Sequence, residues 1–194
     1  MTTYYNINPR FYVSVDCIIF GFDKGSLKLL LLKRNFEPAK GSWSLMGGFV
    51  QDGESVDDAA KRVLAELTGL ENVYMEQVGT FGEVDRDPGE RVISVAYYAL
   101  ININKYDRNL VQQHNAHWAE INEIPPLVFD HPQMVKQARI MLQKKASSEP
   151  IGFNLLPSLF TLFQLQSLYE AIYGEPLDTV SYTHLRAHET CADL

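Results

Sequence analysis

A chain of 194 residues, 46% hydrophobic and 21% charged, has the balance of a folded globular protein rather than a disordered one, with room for one well-packed domain and a small appendage. The net charge of -7 argues against a broad nucleic-acid-binding surface on this chain, while leaving room for a small local one. Two cysteines, Cys17 and Cys191, make no disulfide framework, and MTTYYNINPRFYVSVD lacks the basic-then-apolar order of a leader. No apolar run approaches the roughly 18 residues of a membrane span, so the expectation is a soluble cytoplasmic protein with no membrane partner.

Residues 11–22 (FYVSVDCIIFGF) are rich in β-branched and aromatic side chains and predict a strand. Asp23-Lys24-Gly25 supplies a turn, and residues 27–32 return as an apolar, central strand. A polar loop follows over 33–42. Ser55 then opens a helix, with Asp57 and Asp58 placed to suit the dipole and Gly69 to close it. Val56, Ala59, Ala60, Val63, Leu64 and Leu67 recur on it at helical spacing as one apolar stripe.

Strands are predicted again at 78–81, 91–101 and 117–121, with a charged turn-rich loop at 85–90. A helix over 131–145 carries Pro132 in its first turn. Ser147-Ser148-Glu149-Pro150 reads as a linker, and 151–178 is helical in pattern, with Gly174 and Pro176 as stop signals. That last segment holds no Lys or Arg and many leucines and phenylalanines. It is too short to bury them alone, so it must dock on the first domain, on a partner, or on further chain.

Gly48, Glu54, Arg62, Glu66 and Gly69 fall at the spacing of the Nudix box, the signature of hydrolases that cleave nucleoside diphosphates linked to another moiety. The resemblance implies an α/β/α sandwich around a mixed sheet. Two fixed positions depart from the pattern: Val63 and Leu67 stand where glutamates belong. In active members those glutamates hold magnesium, which wants several hard oxygen ligands, and positions 63, 66 and 67 share one helix face. With Glu66 alone remaining, no catalytic residue and no resident metal are expected; Glu66 is the donor if there is one. Glu54 and Arg62 read as a structural ion pair between loop and helix. Asp58 with Arg62, and Arg62 with Glu66, have the spacing of solvated helix pairs.

Residues 81–100 (FGEVDRDPGERVISVAYYAL), followed by SEPIGFNLLPSLFTLFQLQSLYEAIYGEPLD, are similar to Nudix-related transcriptional regulators of the NrtR and AraR type. Those regulators join a Nudix-like sensor, often inactive, to a C-terminal winged helix. The resemblance implies a Nudix-like domain at 1–146, the start of a winged helix-turn-helix at 147–178, and a helix at 161–173 preceding the recognition helix. It also implies a homodimer and operator DNA as partner for the full-length protein. The remaining residues, 179–194, lack the basic recognition helix such a domain needs, and resemble translated adapter sequence. They are expected to be non-native, the winged helix to be truncated and DNA binding by this chain to fail. His184 and His188 could pair on a metal, but no partner motif accompanies them.

The resemblance further implies a small effector, L-arabinose or a related pentose, bound without cleavage. Candidate ligand contacts are Arg34, Trp43, Phe49, Glu66, Asp85, Arg86 and Arg91, because guanidinium groups donate to hydroxyls or phosphate and aromatic rings stack on sugars. Structural readings stand beside these: Trp43 as core, and Arg86 and Arg91 as partners of Asp85, Asp87 or Glu90. The alternative function is a magnesium-dependent hydrolase of ADP-ribose or another nucleoside diphosphate sugar, borrowing metal ligands such as Glu83 or Glu90. A module that only binds other proteins is a third possibility.

Overall fold

The computed structural model describes residues 4–104 and 108–177; the expectations for the tail from 179, with Cys191, His184 and His188, lie outside them. Seven strands form one mixed sheet: β1 (Tyr12–Asp23), β2 (Ser26–Lys33), β3 (Trp43–Ser44), β4 (Met46–Phe49), β5 (Tyr74–Phe81), β6 (Val92–Ile101) and β7 (Ala116–Glu120). Their order is β3-β2-β1-β6-β5, with β4 paired to β1 and β7 to β2. The central pair, β1 and β6, runs parallel over ten registered positions, and the other pairings are antiparallel.

Side-chain alternation explains why both central strands read as nearly unbroken apolar runs. Ile18, Phe20 and Phe22 of β1, with Ala96, Tyr98 and Leu100 of β6, face one core. Val15, Cys17 and Ile19, with Val95, Tyr97, Ala99 and Ile101, face the other. Helix α1 (Val56–Thr68) covers the second face with the stripe from Ala59 to Leu67. The first face is covered by α3 (His131–Ala146), α4 (Gly152–Leu155) and α5 (Leu162–Tyr173); a short α2 (Arg108–Gln113) precedes β7. The α/β/α layering is therefore as the resemblance implies. Among the described residues no helix is long and apolar enough to cross a membrane.

The caps of α1 are those its sequence predicts. Ser55, with ψ 166°, accepts from the Asp58 N–H, and Gly69 closes the helix at φ 70°, where a side chain would be strained. Cys17 is fully buried beneath this helix, its thiol 3.8 Å from the Ala60 carbonyl oxygen. Burial pushes its pKa well up.

The segment after the linker differs from a continuous helical pattern. It breaks between α4 and α5, where Leu156 is extended ahead of Pro157, a residue that disfavours a helical predecessor. Thr161 then starts α5 with a full capping box, its hydroxyl accepting from the Gln164 N–H while the Gln164 side chain accepts from the Thr161 N–H. Ile151, Leu155, Leu156, Leu165, Leu168 and Ile172 dock into the core of the first domain. Leu159 and Phe163 stay outside, 90% and 74% exposed. Strand β5 also begins four residues earlier than its sequence predicts. Tyr74 to Glu76 are only half-buried, and a bulge between Gln77 and Gly79 breaks the alternation.

Candidate functional site

The box residues converge where β4 runs into α1. Glu54 receives hydrogen bonds at both oxygens: Arg62 Nη2 and the Gln51 N–H reach Oε1 at 2.7 Å, and Arg62 Nε reaches Oε2 at 3.0 Å. The same guanidinium donates to the Phe49 carbonyl at 3.1 Å. Those bonds from Arg62, followed by the Gln51 N–H, hold the Glu54 carboxyl down at about 2. The pair is the structural clamp its spacing suggests. Arg62 also reaches Glu66 at 3.4 Å, whereas Asp58 pairs with Lys61 at 3.9 Å and with Ser55, so the expected Asp58–Arg62 pair is replaced.

Val63 and Leu67 lie in the core, 3% and 9% exposed. A β-carbon on Gly48 would meet the Val63 γ2-methyl at 2.9 Å. Magnesium does not fit this donor set. Glu54 is committed to Arg62, Glu66 is a single exposed carboxylate, and the other two positions are hydrocarbon, against the several hard oxygens the ion needs. Glu83 and Glu90 do not complete the set. They are exposed on the 82–91 loop, and no group of three or more His, Cys, Asp or Glu among the described residues could hold a metal.

Beside Gly47, Gly48 and Phe49 opens a cleft of about 310 Å³, walled by Ser14 and Asp16 of β1, the 34–38 loop, Arg86, Asp87, Phe129 and His131. The Arg34 guanidinium carbon lies 4.3 Å from the Phe36 ring and 5.3 Å from the Phe129 ring, and Nε donates to the Pro38 carbonyl at 2.8 Å. Burial lowers its pKa, against the raising charges of Asp87 and Asp16. Ser44 is fully buried in the wall, and its hydroxyl has no hydrogen-bond partner among the described residues. Gly47 is required, because a β-carbon there would lie 2.5 Å from Asp16 Oδ1 and 2.8 Å from the Val15 carbonyl oxygen.

The innermost wall is a charged network. Arg86 grips Asp130 with two bonds of 2.8 Å and stands 3.6 Å from Asp16, which accepts from the Ser94 hydroxyl at 2.6 Å. Burial opposes the Arg86 charge, but Asp130 and then Asp16 outweigh it and leave the pKa raised. His131 accepts the Leu45 N–H at Nδ1, so the ring proton sits on Nε2, 3.7 Å from Asp16. Burial lowers the His131 pKa despite Asp16 and Asp130.

Of the candidate contacts, Arg34, Phe49 and Arg86 line this cleft, and Trp43, Glu66, Asp85 and Arg91 do not. Trp43 is a half-buried core residue, edge-on to His117 and bridged to Leu127. Asp85 is exposed on its loop and Glu66 on its helix. Arg91 donates to the Glu83 and Gly82 carbonyls at 2.8 Å and lies over Phe11, so it folds the loop back rather than pairing with Asp85, Asp87 or Glu90. Arg86 likewise pairs across 44 residues, not within its loop. The sequence reading missed Asp16, Phe36, Phe129 and His131. A signal for Asp16 existed: a carboxylate inside an otherwise apolar strand needs a partner.

Sheet, box helix and cleft define a Nudix domain joined to a helical segment that packs on it. A family model of the NUDIX domain matches residues 10–140, and one of the NrtR DNA-binding winged helix domain matches 152–185. The ADPR responsive transcriptional repressor NtrR of Acinetobacter baylyi is 35% identical over 178 residues, 90% of this chain and 71% of that protein. The crystal structure of Shewanella oneidensis NrtR complexed with a 27mer DNA superposes with a TM-score of 0.82 at 33% identity, over 94% of this chain and 84% of that one. The NUDIX domain of the same NrtR complexed with ADP ribose gives a TM-score of 0.59 at 29% identity, over 73% of this chain and 94% of that one. This chain belongs to the Nudix-related transcriptional regulators of the NrtR type.

Proposed function

We propose that the protein is a transcriptional regulator whose Nudix domain binds ADP-ribose in the cleft beside Gly48 without cleaving it, and whose winged-helix segment belongs to an operator-binding domain. The observation that carries the reading is the burial of Val63 and Leu67 where the box needs metal-binding carboxylates. The cleft remains while the means of hydrolysis is gone. The pentose expectation has no support among the relatives, whose names carry ADP-ribose instead.

The lining suits such a ligand chemically. Arg34, lying over the rings of Phe36 and Phe129, can donate to a diphosphate. Carboxylates at Asp16, Glu37 and Asp87 can accept from ribose hydroxyls, and Phe36, Phe49 and Phe129 offer faces to a base or sugar. No resident metal is part of this proposal. Operator DNA is the proposed macromolecular partner of the full-length protein and a homodimer the proposed form, since two-fold operators are read by paired domains.

Calorimetry with ADP-ribose and with L-arabinose, each in magnesium and in EDTA, tests this. The expected result is saturable heat with ADP-ribose alone, unchanged by EDTA, and intact ADP-ribose on chromatography afterwards. Magnesium-dependent release of AMP would replace the regulator reading with that of a hydrolase.

A further inference from the structure

The three long helices of this protein begin differently. Ser55 before α1 and Thr161 before α5 have ψ values of 166° and 156°, and each hydroxyl caps its helix. Asp130, the residue before α3, is as good a capping type as either. Yet it has ψ 9° and makes no side-chain cap bond. Its carboxylate is instead taken by both arms of the Arg86 fork. The first turn of α3 is thus without a side-chain cap: Pro132 has no N–H, the Gln133 N–H turns to the Asp130 carbonyl at 3.0 Å, and the Asp130 carboxylate is left to the ion pair at the cleft wall.

The far end of α3 is fixed to the winged-helix segment. Gln143 Nε2 donates to the Ile172 carbonyl at 3.0 Å, and Leu142 and Ala146 share a core with Leu165, Leu168 and Ile172 of α5. A helix of 16 residues, about 24 Å long, therefore has one end on the cleft and the other on the segment that matches the winged-helix domain. Arg86, Asp16 and His131 all line the cleft, so an anionic ligand group placed there competes directly with Asp130 for Arg86.

We propose that the Arg86–Asp130 pair is a latch. Resting on the ADP-ribose reading above, the ligand's diphosphate draws Arg86 away and releases the Asp130 carboxylate. Asp130 then swings its ψ toward the extended range of Ser55 and Thr161 and caps α3. The resulting shift of the first turn passes along α3 to α5. Because coupling is reciprocal, cutting the latch by mutation tightens ligand binding as well as moving the helix.

The test uses the full 194-residue protein, as wild type and as Asp130→Asn and Asp130→Ser, both of which keep a capping side chain and lose the ionic fork. Hydrogen exchange is measured with and without ADP-ribose, and affinity by calorimetry. In wild type, ligand should change exchange in the first turn of α3 and in α5 by at least about threefold, and each variant should bind ADP-ribose about tenfold more tightly. The variants should also show the α3 change before ligand is added. Binding with no exchange change in α3 or α5, or variants that behave as wild type, would overturn the latch alone. Absence of any ADP-ribose binding by wild type would instead overturn the functional reading, and the latch with it.

Discussion

The γ2-methyl of Val63 faces Gly48 so closely that a β-carbon on the glycine would sit 2.9 Å from it. Hydrocarbon has moved into the space that the box pattern reserves for a carboxylate and its ion. Gly48→Ala should therefore cost about 1–3 kcal/mol of stability through overpacking. Val63→Ala in the same chain should recover part of that loss. A double-mutant cycle in urea measures the coupling, and strictly additive effects would show that this contact is not the cause.

Restoring the box by Val63→Glu with Leu67→Glu puts two carboxylates into a site that is 3% and 9% exposed. In metal-free buffer the double variant should lose more than about 2 kcal/mol, since a buried unpaired charge is costly. Magnesium should raise its melting temperature, by binding the native state preferentially, and leave wild type unmoved. Equal magnesium responses in a thermal-shift assay would contradict the assignment of these two positions.

Acid stability should depend on Glu54. Arg62 and the Gln51 N–H hold its folded pKa at about 2, below the ordinary 4.5. A carboxyl whose folded pKa is depressed contributes stability above its unfolded pKa and loses it as pH falls through the folded value. The loss should therefore run from about 4.5 down to about 2, and Glu54→Gln should flatten that part of the stability curve. Denaturant midpoints taken across this range decide it.

His131 acts in a milder range. Burial lowers its pKa from the ordinary 6.5, so below 6.5 the unfolded chain takes up a proton that the folded protein refuses. Stability should then fall as pH drops below 6.5, with a slope of at most about 1.4 kcal/mol per pH unit. His131→Gln keeps an acceptor for the Leu45 N–H and should remove the slope. An unchanged slope in the variant would place the proton uptake elsewhere.

What could be read in the sequence is local. Ser55 and Gly69 mark the ends of α1 because capping depends on neighbours within a few residues, and both are found as caps. The apolar runs of β1 and β6 mark a doubly covered sheet for the same reason. The cleft was legible only in part. Arg34, Phe49 and Arg86, all candidate contacts, stand in it, but spacing offers Arg86 only the carboxylates of its own loop as ion partners, whereas its partner, Asp130, is 44 residues away. Nothing in one-dimensional spacing distinguishes a loop-tip arginine from one carried inward by the fold. For Trp43 the sequence leaves two readings open, ligand contact and core packing, and the sheet turns it toward the core.

Cys17 lies at the buried centre of β1, roofed by α1, and is the sole cysteine among the described residues. A thiol so placed cannot meet an alkylating reagent, nor ionise to attack one, until strand and helix part. Modification of the peptide carrying Cys17 is consequently a chemical clock for the separation of α1 from the sheet. It needs no introduced label, and ligand occupancy that tightens this face should slow it.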